Sequence, residues 1–566
     1  MTCLHAATAF APSRRALLLG GGAVAVLAAG SLGACSPAAE TAAPLPPPDP
    51  TLVATEYGSI RGVQTDGVLE FRGVRYAQPP VGPLRFQAPR KLEPWQGEVA
   101  AQEHGQPAVQ MRAGAGAAAY PPPVQAAMSE AFAPPPNAKA GGDEDCLVLD
   151  VYTQKAGPDA GAVRPVMVWL HGGGFSYGQA PLAIYRGHNL AKNHDVVFVG
   201  VNHRLNIFGF LGLDSLGLEG FEGSANAGML DIVMALEWVR NNIVQFGGDP
   251  SNVTIFGQSG GGAKVSALLA MPNASGLFHK AIIQSGAGLR VGETQDAADA
   301  ASQLLIGLGI SASQAPTMLG DIPVEDILDV AADIGAGKFR PSLDMLNIPR
   351  HPFDPAAPQQ SVNIPVMIGF TKDEQTLYNV GNPAWLKTTD KQVLAAAEKV
   401  AKGEGAAIVA DFKAAFPDYD APHLLMQVTG TVNALRSHHT LAARKAAQPA
   451  PVYAYIFAHD IPPDDFVLKA PHTAEIPYIM DNVAVSPLFA GRAEEDHVMG
   501  RMMSAAWVNF ARTGDPNTEG LPQWPRFNPD TRPTMFLSTD PRVVESPFPE
   551  VWRVIQANPA ANPRPT

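Results

Sequence analysis

The chain has 566 residues, 46% hydrophobic and 16% charged, with 54 Gly and 53 Pro. Gly and Pro follow no G-x-y period, which excludes a collagen, and the apolar content excludes a disordered chain. A net charge of −13 argues against gripping nucleic acid or anionic lipid by general electrostatics, and three cysteines cannot build a disulfide framework.

In chain order, the first predicted element is an export signal over residues 1–34. Ser13-Arg14-Arg15 precedes an uncharged Gly/Ala-rich run, Ala16 to Leu32, too short and too weakly apolar for a membrane span. The paired arginines point to the twin-arginine route. Leu32-Gly33-Ala34-Cys35 resembles a bacterial lipobox, so Cys35 is the expected lipidation site. Cleavage there removes Arg14 and Arg15 and no acid, taking the net charge from −13 to −15. The expected location is periplasmic, or anchored to a bacterial membrane through Cys35. Residues 35–50 read as a Pro/Ala tether. A single catalytic domain is expected over 51–560, with residues 107–142 as a long Ala/Gly/Pro-rich surface insertion.

Within that domain, short apolar runs recur at 165–170, 196–201, 252–256, 281–285, 365–370 and 452–457. Runs apolar on both faces belong in a parallel sheet covered by helices. Between them, Met229, Ile232, Val233 and Leu236 repeat at helical spacing in 226–246. Strands alternating with helices predict an α/β doubly wound fold.

The sharpest motif follows the strand V-T-I-F: Gly257-Gln258-Ser259-Gly260-Gly261 matches G-x-S-x-G, the nucleophile elbow. Small residues on either side allow the tight turn that exposes a strained serine. The helix-forming stretch behind it aims its N-terminus at the reacting centre. A phosphate loop is the rival reading, but Gly262-Ala263-Lys264-Val265 breaks the G-K-[ST] register. Upstream, His171-Gly172-Gly173-Gly174 follows the strand P-V-M-V-W-L and offers backbone N–H groups for an oxyanion hole. The triad order for this fold is serine, acid, histidine. Asp373 and Glu374 both follow the run at 365–370, and the residues alone leave the acid open between them. For the base, His459 at the end of the run at 452–457 competes with His472 in the next loop. His438-His439 and His188/His194 lack metal-ligand spacing with a supporting carboxylate, and neither metal nor cofactor is expected.

F-R-G-V-R-Y-A-Q-P-P-V-G-P-L-R-F (71–86), E-D-C-L-V-L-D-V-Y (144–152), H-G-G-G-F (171–175) and N-H-R-L-N-I-F-G-F (202–210) carry a family resemblance. So do N-A-G-M-L-D (226–231), F-G-G-D-P-S-N-V-T-I-F-G-Q-S-G-G (246–261), H-T-A-E-I-P-Y (472–478) and W-V-N-F-A-R-T-G-D-P-N (507–517). The chain resembles the type-B carboxylesterases, which include cholinesterases and bacterial para-nitrobenzyl esterases. That resemblance implies an α/β-hydrolase fold, a mostly parallel sheet flanked by helices with antiparallel strands at its N-terminal side. It also implies hydrolysis of small-molecule carboxylic esters by Ser259, His472 and Glu374, with Gly173, Gly174 and Gly260 as the oxyanion hole. The alternative is a catalytically inactive adhesion or binding protein on the same fold.

The chain departs from the family pattern at several points. Gln258 stands where many members have Glu, and Gly260 where Ala is usual. Cys146 has lost its disulfide partner. Residues 96–145 contain no Trp, with Tyr120 and Phe132 as their aromatics. Without an aromatic cage, and with neutral Gln258 expected on the pocket wall, choline esters are not the expected substrates.

Overall fold

The computed structural model describes residues 49–111, 120–157, 160–161, 163–401, 403–461 and 468–557. The expected export signal, with Arg14, Arg15 and Cys35, lies outside the described residues. The strands are β1 (Leu52–Ala54), β2 (Ser59–Arg61), β3 (Val63–Thr65), β4 (Val68–Arg75), β5 (Glu98–Ala100), β6 (Val148–Thr153) and β7 (Arg164–Leu170). They continue with β8 (Val197–Val201), β9 (Gly248–Gln258), β10 (Lys280–Gln284), β11 (Val366–Thr371), β12 (Val452–Phe457), β13 (Thr534–Leu537) and β14 (Arg542–Val544).

Eleven of these form one sheet in the order β3-β4-β6-β8-β7-β9-β10-β11-β12-β13-β14, and β1-β2-β5 make a small separate one. From β8 to β13 the large sheet is parallel; β3, β4 and β6 at one side and β14 at the other pair antiparallel. This is the α/β-hydrolase architecture that the resemblance implies, and the six apolar runs are its central strands.

The reason lies in the period-2 pleat. Val166, Val168 and Leu170 of β7 enter one apolar core, while Met167 and Trp169 enter the other. Likewise Val452 and Ala454 of β12 face one side, and Tyr453, Tyr455 and Phe457 the opposite one. Both faces are therefore closed to water, as continuous apolar runs demand. The helix Ala227–Asn242 covers one face with the predicted Met229, Ile232, Val233 and Leu236, all buried. It is fixed by a buried ion pair: Arg204 donates to Asp231 from Nε at 2.9 Å and Nη2 at 2.6 Å. That pair explains two of the sequence blocks, N-H-R-L-N and N-A-G-M-L-D, as scaffold rather than chemistry.

The segment expected to be a surface insertion carries structure. Pro121-Pro122-Pro123 opens a helix, Pro122–Ala131, because proline's fixed φ suits the first turn and its missing N–H is no loss there. Val124, Ala127 and Ala131 are buried, and Phe132 packs edge-on against Tyr185 and Phe489. The i, i+3, i+7 spacing of small apolar residues was masked by the Ala/Pro composition. Cys146 is buried as a free thiol.

Candidate active site

The loops that matter hang from the carboxyl ends of parallel strands, where open α/β sheets bind ligands. In the β7/β9 register Leu170 pairs with Gly257, so the His171–Gly174 loop lies beside the serine turn. Ser259 caps the helix Gly260–Leu268 with φ 58° and ψ −123°, a conformation that costs about 1–3 kcal/mol for a non-glycine residue. Close packing enforces it: a Cβ on Gly257 would lie 2.6 Å from the Leu170 carbonyl oxygen, and one on Gly261 only 2.0 Å away. The two motif glycines are there because β7 leaves no room for a side chain.

Ser259, Glu374 and His472 line one cavity of about 760 Å³, together with Gly174, Phe175 and Gly260. Glu374 Oε2 bonds to His472 Nδ1 across 98 residues of sequence. Burial alone would disfavour both charged forms. The facing charge outweighs it, holding the His472 pKa above its ordinary value and the Glu374 pKa below its own. Glu374 Oε1 also accepts from the Thr371 N–H at 3.0 Å, which turns the carboxylate toward the ring. Neighbouring Asp373 points elsewhere. Both its oxygens accept from the Tyr419 hydroxyl at 2.9 Å, and it also takes Gln427 Nε2 at 2.7 Å and the Ala470 N–H at 3.1 Å. Burial pushes its pKa up to about 6. Asp373 is a brace under the loop that carries His472.

His459 is not at the cavity. Its Nε2 meets Asp496 Oδ1 at 2.9 Å, tying β12 to the first turn of the helix Glu494–Thr513. His438 lines the cavity but is buried, bonds the Ala434 carbonyl at 2.8 Å and has its pKa pushed down to about 4 by burial. His439 points into aromatic packing against Phe527 and Trp552. His188 pairs with Glu70, and His194 with the Ser504 hydroxyl. Among the described residues no group of His, Cys, Asp and Glu could hold a metal ion.

On the oxyanion side, Gly173 and Gly174 both have positive φ, 92° and 61°. Among the described residues neither N–H donates to another group. Gly260 opens its helix, so its N–H has no carbonyl one turn back. The three expected donors are thus unspent. His171 does not line the cavity: its ring stacks on His203 with centroids 4.9 Å apart, and burial, with Lys264 nearby, pushes its pKa down to about 3.

The roles of two further residues escaped the sequence reading. Lys264 figured only as the lysine of a failed phosphate loop. It is fully buried and donates to the His171 carbonyl at 3.1 Å and the Gly174 carbonyl at 2.9 Å, with its ammonium 5.2 Å from the Phe175 ring centre. Burial pushes its pKa down to about 7. It clamps the His171–Gly174 loop from behind. Gln258 was expected on the pocket wall and is instead buried beneath it. Its Nε2 lies 3.4 Å from His472 Nδ1 and 3.2 Å from Nε2, near-equal distances that set the amide over the imidazole face. Neither position carries a local signal, because each is defined by a partner distant in sequence.

A sequence profile described as the carboxylesterase family matches residues 49–552. The chain is 34% identical to a para-nitrobenzyl esterase of Bacillus subtilis over 513 residues, covering 88% of this chain and 97% of that protein. It is 32% identical to a phenmedipham hydrolase of Pseudarthrobacter oxydans, covering 84% of this chain and 92% of that one. Among solved structures, a Geobacillus stearothermophilus carboxylesterase superposes with a TM-score of 0.74 at 34% identity, covering 89% of this chain and 99% of that one. Of the two readings that the sequence carried, hydrolase and inactive binding protein, the comparisons support the hydrolase.

Proposed function

Since the chain belongs to the carboxylesterase family and is a serine hydrolase of carboxylic esters, we propose that Ser259 is its nucleophile, His472 its general base and Glu374 the orienting acid. The observation that carries this reading is the Glu374–His472 hydrogen bond in the cavity that also exposes the strained Ser259. The partner is a small-molecule ester.

In this reading Ser259 Oγ attacks the ester carbonyl carbon while its proton passes to His472 Nε2. Glu374 on Nδ1 fixes the tautomer and stabilises the imidazolium that forms. The carbonyl oxygen becomes an oxyanion facing the N–H groups of Gly173, Gly174 and Gly260, where losing one such donor costs about 2.7–4 kcal/mol of transition-state stabilisation. The tetrahedral intermediate expels the alcohol, which leaves with the proton from His472. Water then attacks the acyl-enzyme by the same route, releasing the acid and free Ser259. A panel of p-nitrophenyl esters of different acyl lengths, run beside Ser259→Ala, tests this: hydrolysis no faster than the variant on every ester would overturn it.

We also propose that the protein is exported by the twin-arginine route and anchored as a lipoprotein. The support is the order Arg14-Arg15, uncharged run, Leu32-Gly33-Ala34-Cys35. Replacing both arginines by lysine should block export, and Cys35→Ser should release the protein from the membrane fraction. Wild-type fractionation of Cys35→Ser would make the lipobox a coincidence.

A further inference from the structure

One wall of the cavity is built by the π-helix Gln427–Thr431 running into the helix Val432–Ala446. Gly430, Asn433, Arg436 and Ser437 present to the cavity at helical spacing. The π-turn is pinned to the end of β11, because Gln427 Nε2 and the Thr431 hydroxyl both donate to the Lys372 carbonyl, at 2.8 and 3.0 Å. This wall is therefore rigidly placed with respect to Glu374.

Its cavity-lining polar side chains bond within the helix, except at His438 Nε2 and at Arg436. Asn433 Nδ2 donates to the Thr429 carbonyl at 2.8 Å, and the Ser437 hydroxyl to the Asn433 carbonyl at 3.1 Å. Further along the same helix, Arg444 pairs with Asp354 at 3.1 Å. Arg436 has no such partner. Among the described residues no carboxylate lies within ion-pair reach of it, and its Nε is sealed from water without a hydrogen bond. Burial draws its pKa down with no facing acid to offset it. The only carboxylate on the same cavity among the described residues, Glu374, is committed to His472. A half-buried guanidinium on a cavity wall with no facing acid lacks a counter-charge unless one arrives with the ligand.

We propose that Arg436 makes this cavity a site for esters that carry a free carboxylate, such as monoesters of dicarboxylic acids, with the Arg436 guanidinium binding the carboxylate while Ser259 receives the ester carbonyl. The proposal rests on the Ser259 reading above. A carboxylate matches a guanidinium edge with two parallel hydrogen bonds, and a partly desolvated pair of this kind is worth at least about tenfold in affinity. A diester of a dicarboxylic acid would supply such a substrate, since its first hydrolysis leaves an acid-ended monoester.

Two matched pairs test it at low salt. One carries the charge on the acyl side, mono-4-nitrophenyl suberate against its methyl-capped neutral ester. The other carries it on the alcohol side, the butyrate ester of 4-hydroxybenzoate against that of methyl 4-hydroxybenzoate. Wild type should prefer the anionic member of at least one pair by tenfold or more in kcat/KM. That ratio should fall with added KCl, collapse toward unity in Arg436→Gln through KM, and survive in part in Arg436→Lys. A wild-type ratio at or below unity in both pairs, or one unchanged in a folded Arg436→Gln, overturns the carboxylate site. Hydrolysis of the neutral esters by wild type and not by Ser259→Ala would then show the triad reading intact. Failure on all four esters overturns both.

Discussion

Gly260→Ala probes how the oxyanion hole is set. A Cβ there would lie 2.2 Å from the Gly174 carbonyl oxygen, 2.5 Å from its Cα and 2.6 Å from its carbonyl carbon, all backbone atoms. Real Cβ contacts stay beyond 3.0 Å, so the loop must retreat by at least about 0.8 Å. It is not free to do so, because Lys264 Nζ holds that same carbonyl at 2.9 Å. A displacement near 1 Å costs about 10²-fold in rate, and a lost oxyanion donor about 2.7–4 kcal/mol. Gly260→Ala should therefore lower kcat about 10²-fold and lower stability by about 1–3 kcal/mol through overpacking. Lys264→Met should also lose rate, since the loop loses its clamp, and the buried His171 carbonyl is left without its donor at about 1–3 kcal/mol. With the clamp gone, however, the loop can yield to the methyl group. The double variant should then lose less than the sum of the singles, with a coupling of about 0.5–3 kcal/mol. The assay is kcat on p-nitrophenyl butyrate, corrected by active-site titration, beside thermal unfolding of each variant. A Gly260→Ala enzyme within threefold of wild type at unchanged Tm would refute the steric argument, and strict additivity would refute the lysine's part in it.

His472→Ala should lose several orders of magnitude in kcat, while His459→Ala, which only unties Asp496, stays within about tenfold and loses stability; the reverse pattern in steady-state kinetics would exchange their roles. Glu374→Gln should cost about 10³–10⁴ in kcat and Asp373→Asn less than about tenfold, and equal losses would leave no basis for choosing between the two acids. The pH profile carries the sign: His472 must be neutral to take the proton, so kcat/KM falls as pH drops through its raised pKa. Removing the Glu374 charge leaves burial dominant, so the acidic limb of Glu374→Gln should move to lower pH, and a move upward would contradict the pairing. A choline ester should show no advantage over its neutral 3,3-dimethylbutyl isostere, because Phe175 and Tyr378 are the cavity's only aromatic carbocycles among the described residues and Arg436 adds a like charge; a tenfold preference for the cation in kcat/KM would mean a cage exists elsewhere.

The sequence by itself determined what short-range physics encodes. Apolar runs on both faces could only be buried strands, and alternation with helices made the sheet parallel. Glycines at 257 and 261 with a serine between them mark a turn that no bulkier pattern permits, and the three glycines after His171 mark a loop with free N–H groups. What tertiary structure decided is every choice between neighbours or lookalikes. Asp373 and Glu374 are adjacent and chemically alike. The residues alone left them open and the family resemblance favoured Glu374; the fold turns one into Tyr419 and Gln427 and the other onto a histidine 98 residues away. Gln258, expected on a wall, lies over that histidine, and Lys264 holds carbonyls some ninety residues before it. Arg436 drew no notice in the sequence, and only the packing of its helix over β11 sets it on the cavity without a facing acid. Local periodicity fixes which residues are buried and where the chain turns, but a side chain's charge state and its partner depend on groups that meet only once both faces of the sheet are covered.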